Sequence, residues 1–403
     1  MTKSLVISKR IIDSLASRQE GEQWELLIAQ LLRRLELKPD EKAMAEAAYD
    51  LLGASIAKKL NLPRHDVDVF AQGSMRTQTT INPRHPTNFD IDVFVKLTGP
   101  GYDAMDAETM FHSFGKALEG NESVTGVPYK KRRCWRLDYP NKPFYFDVTP
   151  AVRGTSYAGL GLRVRDPETI WAPTNPADFA NWFCKRAELR FIFGARVIKS
   201  IAMDERASVE PLPQEEVGLD DILRRTVQLM KLHRDNMYHY ADVKRKEAQP
   251  ISVIIVTLAT HAYADLWNNG KASFRSPLEV VLALVERMPF FIDYTSGKYL
   301  VANPELHGEN FADRWNSDSG LRAAEFKRWH ARLETDLEKL LHQGTKTANE
   351  ADIREVFGAV GVEAWKASQP KSNILDGLLL SSTGLTKFNP TTPIKPGTAD
   401  SLG

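Results

Sequence analysis

The stretch QGSMRTQTTINPRHPTNFDIDVFVK, residues 72–96, decides the fold of this chain. It joins a turn, Gly73-Ser74, to a strand-like run over residues 89–97 that is apolar except at three positions. Alternate residues of a strand share a face, so Asp90 and Asp92 project to one side while the apolar residues beside them enter a core. The segment therefore predicts a core strand that displays two carboxylates after a tight turn.

The two carboxylates, Asp90 and Asp92, form a candidate metal site. Like charges on one face repel each other and lose hydration unless a cation lies between them. Mg²⁺ suits such a site because it prefers oxygen ligands and shares its coordination shell with substrate phosphates. The N–H groups and the hydroxyl of the Gly73-Ser74 turn can contact those phosphates. The alternative interpretation is a solvated edge strand with two surface carboxylates.

Composition and charge limit the functional classes. The chain has 403 residues, of which 42% are hydrophobic and 26% charged, and this indicates a globular protein of two domains or one two-lobed unit. A formal net charge of +1 does not point to a nucleic-acid partner, and the strongest basic cluster, residues 130–133, favours a solvated strand end. Activation by nucleic acid is therefore not indicated.

Cysteine usage and hydropathy predict the compartment. The chain has two cysteines, Cys134 and Cys184, which fits a reducing cytosol and excludes a disulfide framework or a cysteine zinc ribbon. Its first residues lack an apolar signal region, and no run approaches the ~20 apolar residues that a membrane span requires. We expect a cytoplasmic protein without membrane association.

Hydrophobic periodicity predicts helices around a sheet, an α+β fold. Residues 7–60 have helical spacing, interrupted before Asp40, which we interpret as the N-cap of a second helix. Residues 201–219, acidic and with two prolines, predict a loop. The other predicted elements are strands over residues 66–72, 89–97, 132–139 and 144–148, and helices over residues 102–118, 278–288, 323–341 and 353–367.

A third acid, Asp147, lies in the aromatic run FYFDV. Burying an acid without a partner is unfavourable, so this side chain needs a cation or a hydrogen-bond donor. Asp138 on the preceding strand competes for a place beside the first two acids. Its strand is more basic, and a local ion pair can satisfy it.

The Gly-Ser turn, the spacer and the acidic-x-acidic strand resemble the catalytic core of the DNA polymerase β-like nucleotidyltransferases. That superfamily has a third carboxylate on a neighbouring strand, and Asp147 matches its position, so we favour Asp147 over Asp138. The resemblance implies a two-lobed fold, with a mixed β-sheet core lobe followed by a helical C-terminal lobe.

Four later segments narrow the resemblance to the bacterial cGAS/DncV-like nucleotidyltransferases, the CD-NTases or CBASS cyclic-oligonucleotide synthases. They are the hinge at residues 171–183, the LLKrhRD-like helix at 227–235, the serine-headed helix at 250–258 and the NP…ENF…W segment at 303–315. We expect a nucleotidyltransferase core with N-terminal helices over residues 1–170, a helical lobe that completes the nucleotide site over 171–367, and a flexible tail over 368–403.

The resemblance also implies a reaction. Asp90, Asp92 and Asp147 would hold two Mg²⁺ ions ~3.5–4 Å apart, for which Mn²⁺ can substitute, and Gly73 and Ser74 would orient the donor phosphates. The expected enzyme makes a cyclic di- or trinucleotide second messenger from ATP and/or GTP, releases pyrophosphate and signals in antiphage defence. The resemblance does not imply which bases are joined, the linkage, the ring size or the activating signal.

By resemblance, Lys231 and Ser252 contact the triphosphate from the helical lobe. A mobile cation and a hydroxyl at a helix start suit that role. The alternatives are an exposed helix face for Lys231 and a plain N-cap for Ser252, while Arg234-Asp235 can form a local pair. Relatives place an aromatic residue after the serine to stack on the base. Here the residue is Val253, so base recognition must come from elsewhere.

Two further positions carry expectations. His85 in the spacer can touch substrate, whereas the other histidines lack zinc-ligand spacing and indicate structural roles. The chain ends at Gly403, and some synthases of this class have a terminal glycine that E1/E2-like proteins, similar to ubiquitin-activating and conjugating enzymes, join to other molecules. The alternative for Gly403 is a frayed terminus.

Two other functions compete with cyclic-oligonucleotide synthesis. A linear oligoadenylate or RNA-tailing nucleotidyltransferase would need a long basic channel, and none is evident in the sequence. A non-catalytic nucleotide-binding scaffold has no need of all three acids, Asp90, Asp92 and Asp147.

Overall fold

The structure is a computed structural model, and it describes residues 18–81, 89–120, 128–139, 142–154, 161–193, 221–270 and 274–369. The predicted loop at residues 201–219, His85 and the tail with Gly403 lie outside the described residues. Within them the fold is α+β, with one mixed sheet followed by a series of helices, as the sequence predicts.

The described strands form one sheet. They are β1 Val67–Ala71, β2 Phe89–Leu97, β3 Pro128–Lys130, β4 Trp135–Asp138, β5 Phe144–Arg153, β6 Leu162–Asp166 and β7 Ile170–Thr174. Their order is β1-β2-β5-β4-β3, and β6 pairs with β5 and β7. β2 and β5 run parallel, whereas the other pairs are antiparallel. The central parallel pair carries the acids that the sequence singled out.

The helices of the described residues follow the same numbering. They are α1 Arg18–Arg34, α2 Pro39–Lys59, α3 Gly73–Arg76, α4 Pro100–Asp103, α5 Ala107–Leu118, α6 Pro176–Ala187, α7 Ile222–His239, α8 Val243–Glu247, α9 Ser252–Gly270, α10 Pro277–Arg287, α11 Leu321–Leu341 and α12 Glu350–Ser368. Short 3-10 turns occur at Arg64–Asp66, Met288–Phe291 and Asp313–Asn316.

One apolar core lies between the sheet and helices α2 and α5. Ile91 and Val93 of β2 are fully buried in it, as the alternation of the strand predicts, and they pack with Phe146 of β5 and Phe114 of α5. Burying side chains of this size contributes roughly 1.5–3 kcal/mol each. The opposite face of β2 is thereby left to its two aspartates.

A second apolar core is formed by the helices after the sheet. Helix α1 belongs to this second core, because Trp24 and Leu31 are fully buried among the later helices. Two hydrogen bonds fix it there: the indole Nε1 of Trp24 donates to the carbonyl of Gln343 at 2.8 Å, and the N–H of Leu278 donates to Glu25 at 2.8 Å. The first helix thus joins the helical part, although the sequence places it with the core lobe. The domain boundaries at residues 170 and 367 stay predictions.

Several predicted boundaries were wrong. Asp40 is not the N-cap of α2, because that helix begins at Pro39, a favoured first helical residue, and Glu41 accepts a bond from the N–H of Lys38 at 2.9 Å. The predicted helix over residues 102–118 divides into α4 and α5, where Asp106 caps the second helix through the N–H of Thr109. Each change follows from local capping chemistry.

Strand β6 was missed. The run LRVRD of β6 alternates two apolar residues with two arginines, a pattern too short to predict a strand by itself. Arg165 is nevertheless buried, because its guanidinium donates to Glu108 at 2.6 Å and to the carbonyl of Arg132 at 2.7 Å. These partners come from distant elements, so the burial of Arg165 does not follow from the local sequence. The hinge from β7 to α6, in contrast, lies where the resemblance placed it.

Of the helices in the described part of the chain, none reaches both the length and the apolar character that crossing a bilayer would require.

Candidate active site

The structure brings the three predicted acids together on one face of the sheet. In the parallel pair β2 and β5, Asp92 lies opposite Asp147. Asp90 precedes Asp92 by two residues, so it lies on the same side of the sheet, opposite Tyr145. One carboxylate oxygen of each of the three acids lies within 4.8 Å of the others. Asp138 occupies a register position opposite Tyr145 on β4 and does not belong to this group. The three acids form a set that can bind a metal ion.

The electrostatics of this group favour a bound cation. Desolvation and the charge of Asp147 raise the pKa of Asp90 to about 6. Burial and the neighbouring Asp90 raise the pKa of Asp92 well above its usual value. A divalent cation among the carboxylates would lower both pKa values, because it stabilises the ionised forms. Oxygen ligands in this number suit Mg²⁺, so the residues fit the metal that the resemblance implies.

Asp147 already has an internal partner. Arg136 on β4 lies opposite it, and the guanidinium donates from Nε to Oδ1 at 2.9 Å and from Nη2 to Oδ2 at 2.7 Å. The sequence predicts that a basic residue of this strand pairs with Asp138. That prediction was wrong for Arg136, because its register position lies opposite Asp147.

The turn before β2 requires glycine. Gly73 has a φ of +59°, in the left-handed region, and an added Cβ would lie 2.2 Å from the Oδ2 atom of Asp92. The backbone of the turn is therefore in direct contact with the carboxylate. Ser74 follows, and its hydroxyl accepts a hydrogen bond from Thr80 at 3.1 Å. Both turn residues line the same cavity as the acids.

Lys231 closes the site from helix α7. Its side chain is buried, 6% exposed, and its ammonium donates to the carbonyl of Thr79 at 2.8 Å. Burial and then the positive charge of Arg234 lower the pKa of Lys231 to about 8. The alternative of an exposed helix face was wrong. One of three N–H donors is used by Thr79, and two remain for an anion.

Ser252 begins helix α9 and lines the cavity. Its hydroxyl accepts a hydrogen bond from Nη1 of Arg234 at 3.0 Å, and the same nitrogen donates to the carbonyl of Pro250 at 3.1 Å. Arg234 also donates to Asp235 at 2.8 Å, so the predicted local pair is present. Arg234 and Asp235 nevertheless line the cavity as well, although only a local pair was expected of them.

The cavity bounded by these residues has a volume of about 500 Å³, within the range of small-molecule sites. Its apolar lining includes Phe179, Val253 and Phe311, and Phe179 meets Phe311 edge to face with centroids 5.3 Å apart. At another wall Asn303 donates to Glu309 at 2.7 Å, and burial raises the pKa of Glu309. Aromatic surface near Val253 is thus supplied by residues distant in sequence, which the sequence analysis missed.

The buried histidines have structural roles in the described part. His233 on α7 lies with Nε2 3.0 Å from Oδ2 of Asp336, so it ties α7 to α11. His261 lies between the rings of Trp182 and Phe291, with centroids 5.0 and 5.5 Å away. This agrees with the structural roles expected from their spacing.

Part of the chain matches a known protein family and a curated relative. Residues 27–186 match the model of the SMODS family, the Second Messenger Oligonucleotide or Dinucleotide Synthetase domain. A c-di-GMP synthase of Roseivirga ehrenbergii is 27% identical over 256 residues, which are 62% of this chain and 61% of the relative. The match therefore spans less than two thirds of that relative's length.

Solved structures show the same fold. The CD-NTase CdnG of Bradyrhizobium diazoefficiens, in complex with GTP, is similar with a TM-score of 0.63 at 22% identity, covering 85% of this chain and 97% of that chain. CdnC of E. coli MS115-1 with ATP is similar with a TM-score of 0.54 at 15% identity, covering 83% of this chain and 98% of that chain. The predicted α+β fold, a mixed sheet followed by helices, is confirmed.

Proposed function

We propose that this chain, whose residues 27–186 match the SMODS family model, is a CD-NTase of the polymerase β-like nucleotidyltransferases. As such it makes a cyclic di- or trinucleotide second messenger from ATP and/or GTP with release of pyrophosphate. The observation that carries the proposal is the grouping of Asp90, Asp92 and Asp147 in one cavity with the cationic side chains of Lys231 and Arg234. Acids that can hold metal ions and cations that can hold phosphates are both needed for nucleotidyl transfer.

GTP is the first substrate to test. The relative from Roseivirga ehrenbergii is a c-di-GMP synthase, and the CdnG structure contains GTP. CdnC was solved with ATP, so both nucleotides stay within the proposal. The cavity of about 500 Å³ is large enough for one nucleoside triphosphate.

Three side chains would hold the metal. We assign Asp90, Asp92 and Asp147 as ligands of two Mg²⁺ ions, and Mn²⁺ can replace Mg²⁺ because both prefer oxygen ligands. When bound, the ions neutralise triphosphate charge and promote ionisation of the attacking ribose hydroxyl. The contact between Gly73 and Asp92 supports this assignment, because it brings the turn beside one of the three acids.

The remaining residues position the nucleotide. The amide groups of the turn and the hydroxyl of Ser74 would contact the donor phosphates beside the acids. Lys231 and the Arg234–Ser252 pair would hold the outer phosphates from the helical side. Phe179 and Phe311 offer the base an apolar, aromatic surface. Holding donor and acceptor in line supplies a large part of the rate.

The biological setting follows as a further part of the proposal. A cyclic oligonucleotide made by this enzyme would signal in antiphage (CBASS) defence, in the cytoplasm, through an effector that binds it. Joining of Gly403 to other molecules by an E1/E2-like protein stays a prediction, because that residue lies outside the described part of the chain.

Product analysis tests the proposal. The purified protein is incubated with Mg²⁺ or Mn²⁺ and labelled GTP and ATP, and the products are treated with phosphatase. A cyclic product keeps its label because it has no terminal phosphate. A linear product loses its terminal phosphates and would favour the oligonucleotide-tailing alternative, while no product would favour the scaffold alternative. Asp92→Asn should abolish the product, and Asp68→Asn, at an exposed acid paired with Lys96, should not.

A further inference from the structure

Within the described part of the chain, Asp147 is the member of the acidic group that forms a bidentate ion pair, and its partner is Arg136. Both oxygens of Asp147 accept from it, at 2.9 and 2.7 Å. The guanidinium also lies 3.8 Å from the centroid of the ring of Tyr145, which precedes Asp147 by two residues on the neighbouring strand. The pair is shielded from water, with side-chain exposures of 25% for Arg136 and 14% for Asp147. Arg136 is therefore held in place by three contacts at once.

This contact uses the atoms that a metal ion needs. A guanidinium matches a carboxylate in shape and takes one lone pair from each oxygen. A carboxylate oxygen of Asp147 lies within 4.8 Å of those of Asp90 and Asp92, so an ion shared by the three acids would lie close to the guanidinium. A positive charge at that distance repels a divalent cation, and the repulsion is stronger at a partly buried site than in bulk water.

We propose that Arg136 is an internal counter-cation of the acidic group, which a divalent ion must displace from Asp147 before it binds. The inference rests on the proposed function, since it concerns the metal of that same site. Without nucleotide the three acids then have low affinity for the metal. A bound triphosphate brings further oxygen ligands and negative charge, which offset the repulsion by Arg136, so that metal and nucleotide bind cooperatively.

The competing role for Arg136 is orientation alone. A carboxylate can accept from a guanidinium and still bind a metal through its remaining lone pairs. In that case Arg136 fixes the plane of Asp147 and favours metal binding. The two roles predict changes of opposite sign in metal affinity when Arg136 is removed.

Metal titration of the full chain separates the two roles. Binding of Mn²⁺ without nucleotide is followed by the loss of the free Mn²⁺ signal in electron paramagnetic resonance. Arg136→Met should bind Mn²⁺ about tenfold more tightly than the natural protein, because one positive charge is removed at short range. Arg136→Lys keeps the positive charge but loses the two parallel hydrogen bonds of the guanidinium. Its affinity for Mn²⁺ should lie between those of Arg136→Met and the natural protein. Arg153→Met removes an exposed arginine from the end of the same strand as Asp147 and should leave the affinity unchanged.

A second titration contains a nonhydrolysable GTP analogue. There the difference between Arg136→Met and the natural protein should shrink, since the triphosphate already offsets the arginine. Thermal unfolding of each variant checks the fold, and Arg136→Lys carries the comparison if Arg136→Met does not fold.

If both Arg136 variants bind Mn²⁺ with the same affinity as the natural protein, or more weakly, the counter-cation role is wrong and the orienting role is established. This outcome leaves the proposed function intact, because the metal still binds. If neither the natural protein nor the variants bind Mn²⁺, with or without the GTP analogue, both the inference and the metal site of the proposed function are wrong.

Discussion

Among single residues, Gly73 and Asp92 depend on each other most directly. The Cα of the turn approaches the carboxylate so closely that only hydrogen fits between them, and the backbone has a positive φ as well. The conformation of the turn and the position of the Asp92 carboxylate therefore depend on each other. The glycine is needed for the site and not merely for the turn.

Gly73→Ala should reduce turnover by about 100-fold, since the new Cβ displaces the carboxylate of Asp92, a proposed metal ligand. The matched control is Gly297→Ala. Gly297 also has a positive φ, +74°, but an added Cβ would meet no atom within 4 Å. Both variants carry the backbone cost of about 1–2 kcal/mol. Equal turnover of the two variants would show that the contact with Asp92 is irrelevant.

Asp90→Asn should stabilise the metal-free protein by about 1 kcal/mol at pH 8, after allowance for solvent access. The pKa of Asp90 in the folded protein, about 6, lies above its unfolded value, so ionisation costs stability as the pH rises through this window, and the full cost is present at pH 8. Urea unfolding in the presence of a chelator measures the difference. A less stable Asp90→Asn protein would contradict the repulsion between the acids.

Lys231 gives the site a pH dependence. Its pKa, about 8, lies below that of an ordinary lysine, so it loses its charge as the pH rises from 7 to 9, and affinity for a triphosphate should fall over that interval. Lys231→Met should weaken binding of a nonhydrolysable GTP analogue by about 10- to 100-fold at pH 7 and remove this part of the pH dependence. Lys327→Met, on the exposed face of α11, is the control. Calorimetric titration measures both effects, and an unchanged affinity in Lys231→Met would exclude the phosphate contact.

At the level of secondary-structure elements, helix α7 connects the two halves of the site. Three of its side chains, Arg224, Gln228 and Lys231, lie on one face of the helix. They donate to the carbonyls of Thr77 at 3.0 Å, Thr80 at 3.4 Å and Thr79 at 2.8 Å. The segment that follows the Gly-Ser turn is therefore held by the helix that carries Lys231.

Gln228 is the buried centre of this contact. It is fully buried, donates to Glu36 at 2.8 Å and accepts from Arg225 at 2.9 Å. Gln228→Leu should destabilise the protein by about 1–3 kcal/mol, because it removes hydrogen bonds from buried charged partners. Asn269→Leu, at an exposed amide that donates to Asp265 on the same helix, should cost much less. Chemical unfolding compares the two, and equal losses would contradict the role of Gln228.

The sequence predicts those features of the elements that depend on neighbouring residues, and it misses those that depend on residues distant in the chain. Strand β2 has the predicted bounds, and the separation of Asp90 and Asp92 from Ile91 follows from the period of a strand. The contact between Arg136 and Asp147, in contrast, depends on the register of β4 against β5. The burial of Lys231 depends on the packing of α7 against residues 77–80. Neither register nor packing is encoded in a local pattern, so both were missed.

For the molecule as a whole, the site lies where residues from both apolar cores meet. The acids are on strands that pack into the first core, while Lys231 and Ser252 are on helices of the second. The resemblance predicted this division because motifs of both parts occur in the family's order. It did not predict that α1, at the start of the described chain, packs into the second core.

Ligand binding should therefore stabilise both parts together. A nonhydrolysable GTP analogue with Mg²⁺, at about 100 times its dissociation constant, should stabilise the folded protein by about 2.7 kcal/mol. Differential scanning calorimetry measures the shift in melting temperature. Asp92→Asn should lose most of the shift, whereas Asp68→Asn should keep it. A shift that is the same in Asp92→Asn would place the nucleotide away from the acids.

The most direct test of metal-dependent nucleotidyl transfer at these three acids is the rate of pyrophosphate release from GTP and ATP in Mg²⁺. The natural protein should release pyrophosphate, a chelator should stop the release, and Asp92→Asn should reduce the rate by at least about 100-fold with its fold intact. Undiminished release by folded Asp92→Asn would contradict the assignment of the acids as the catalytic centre.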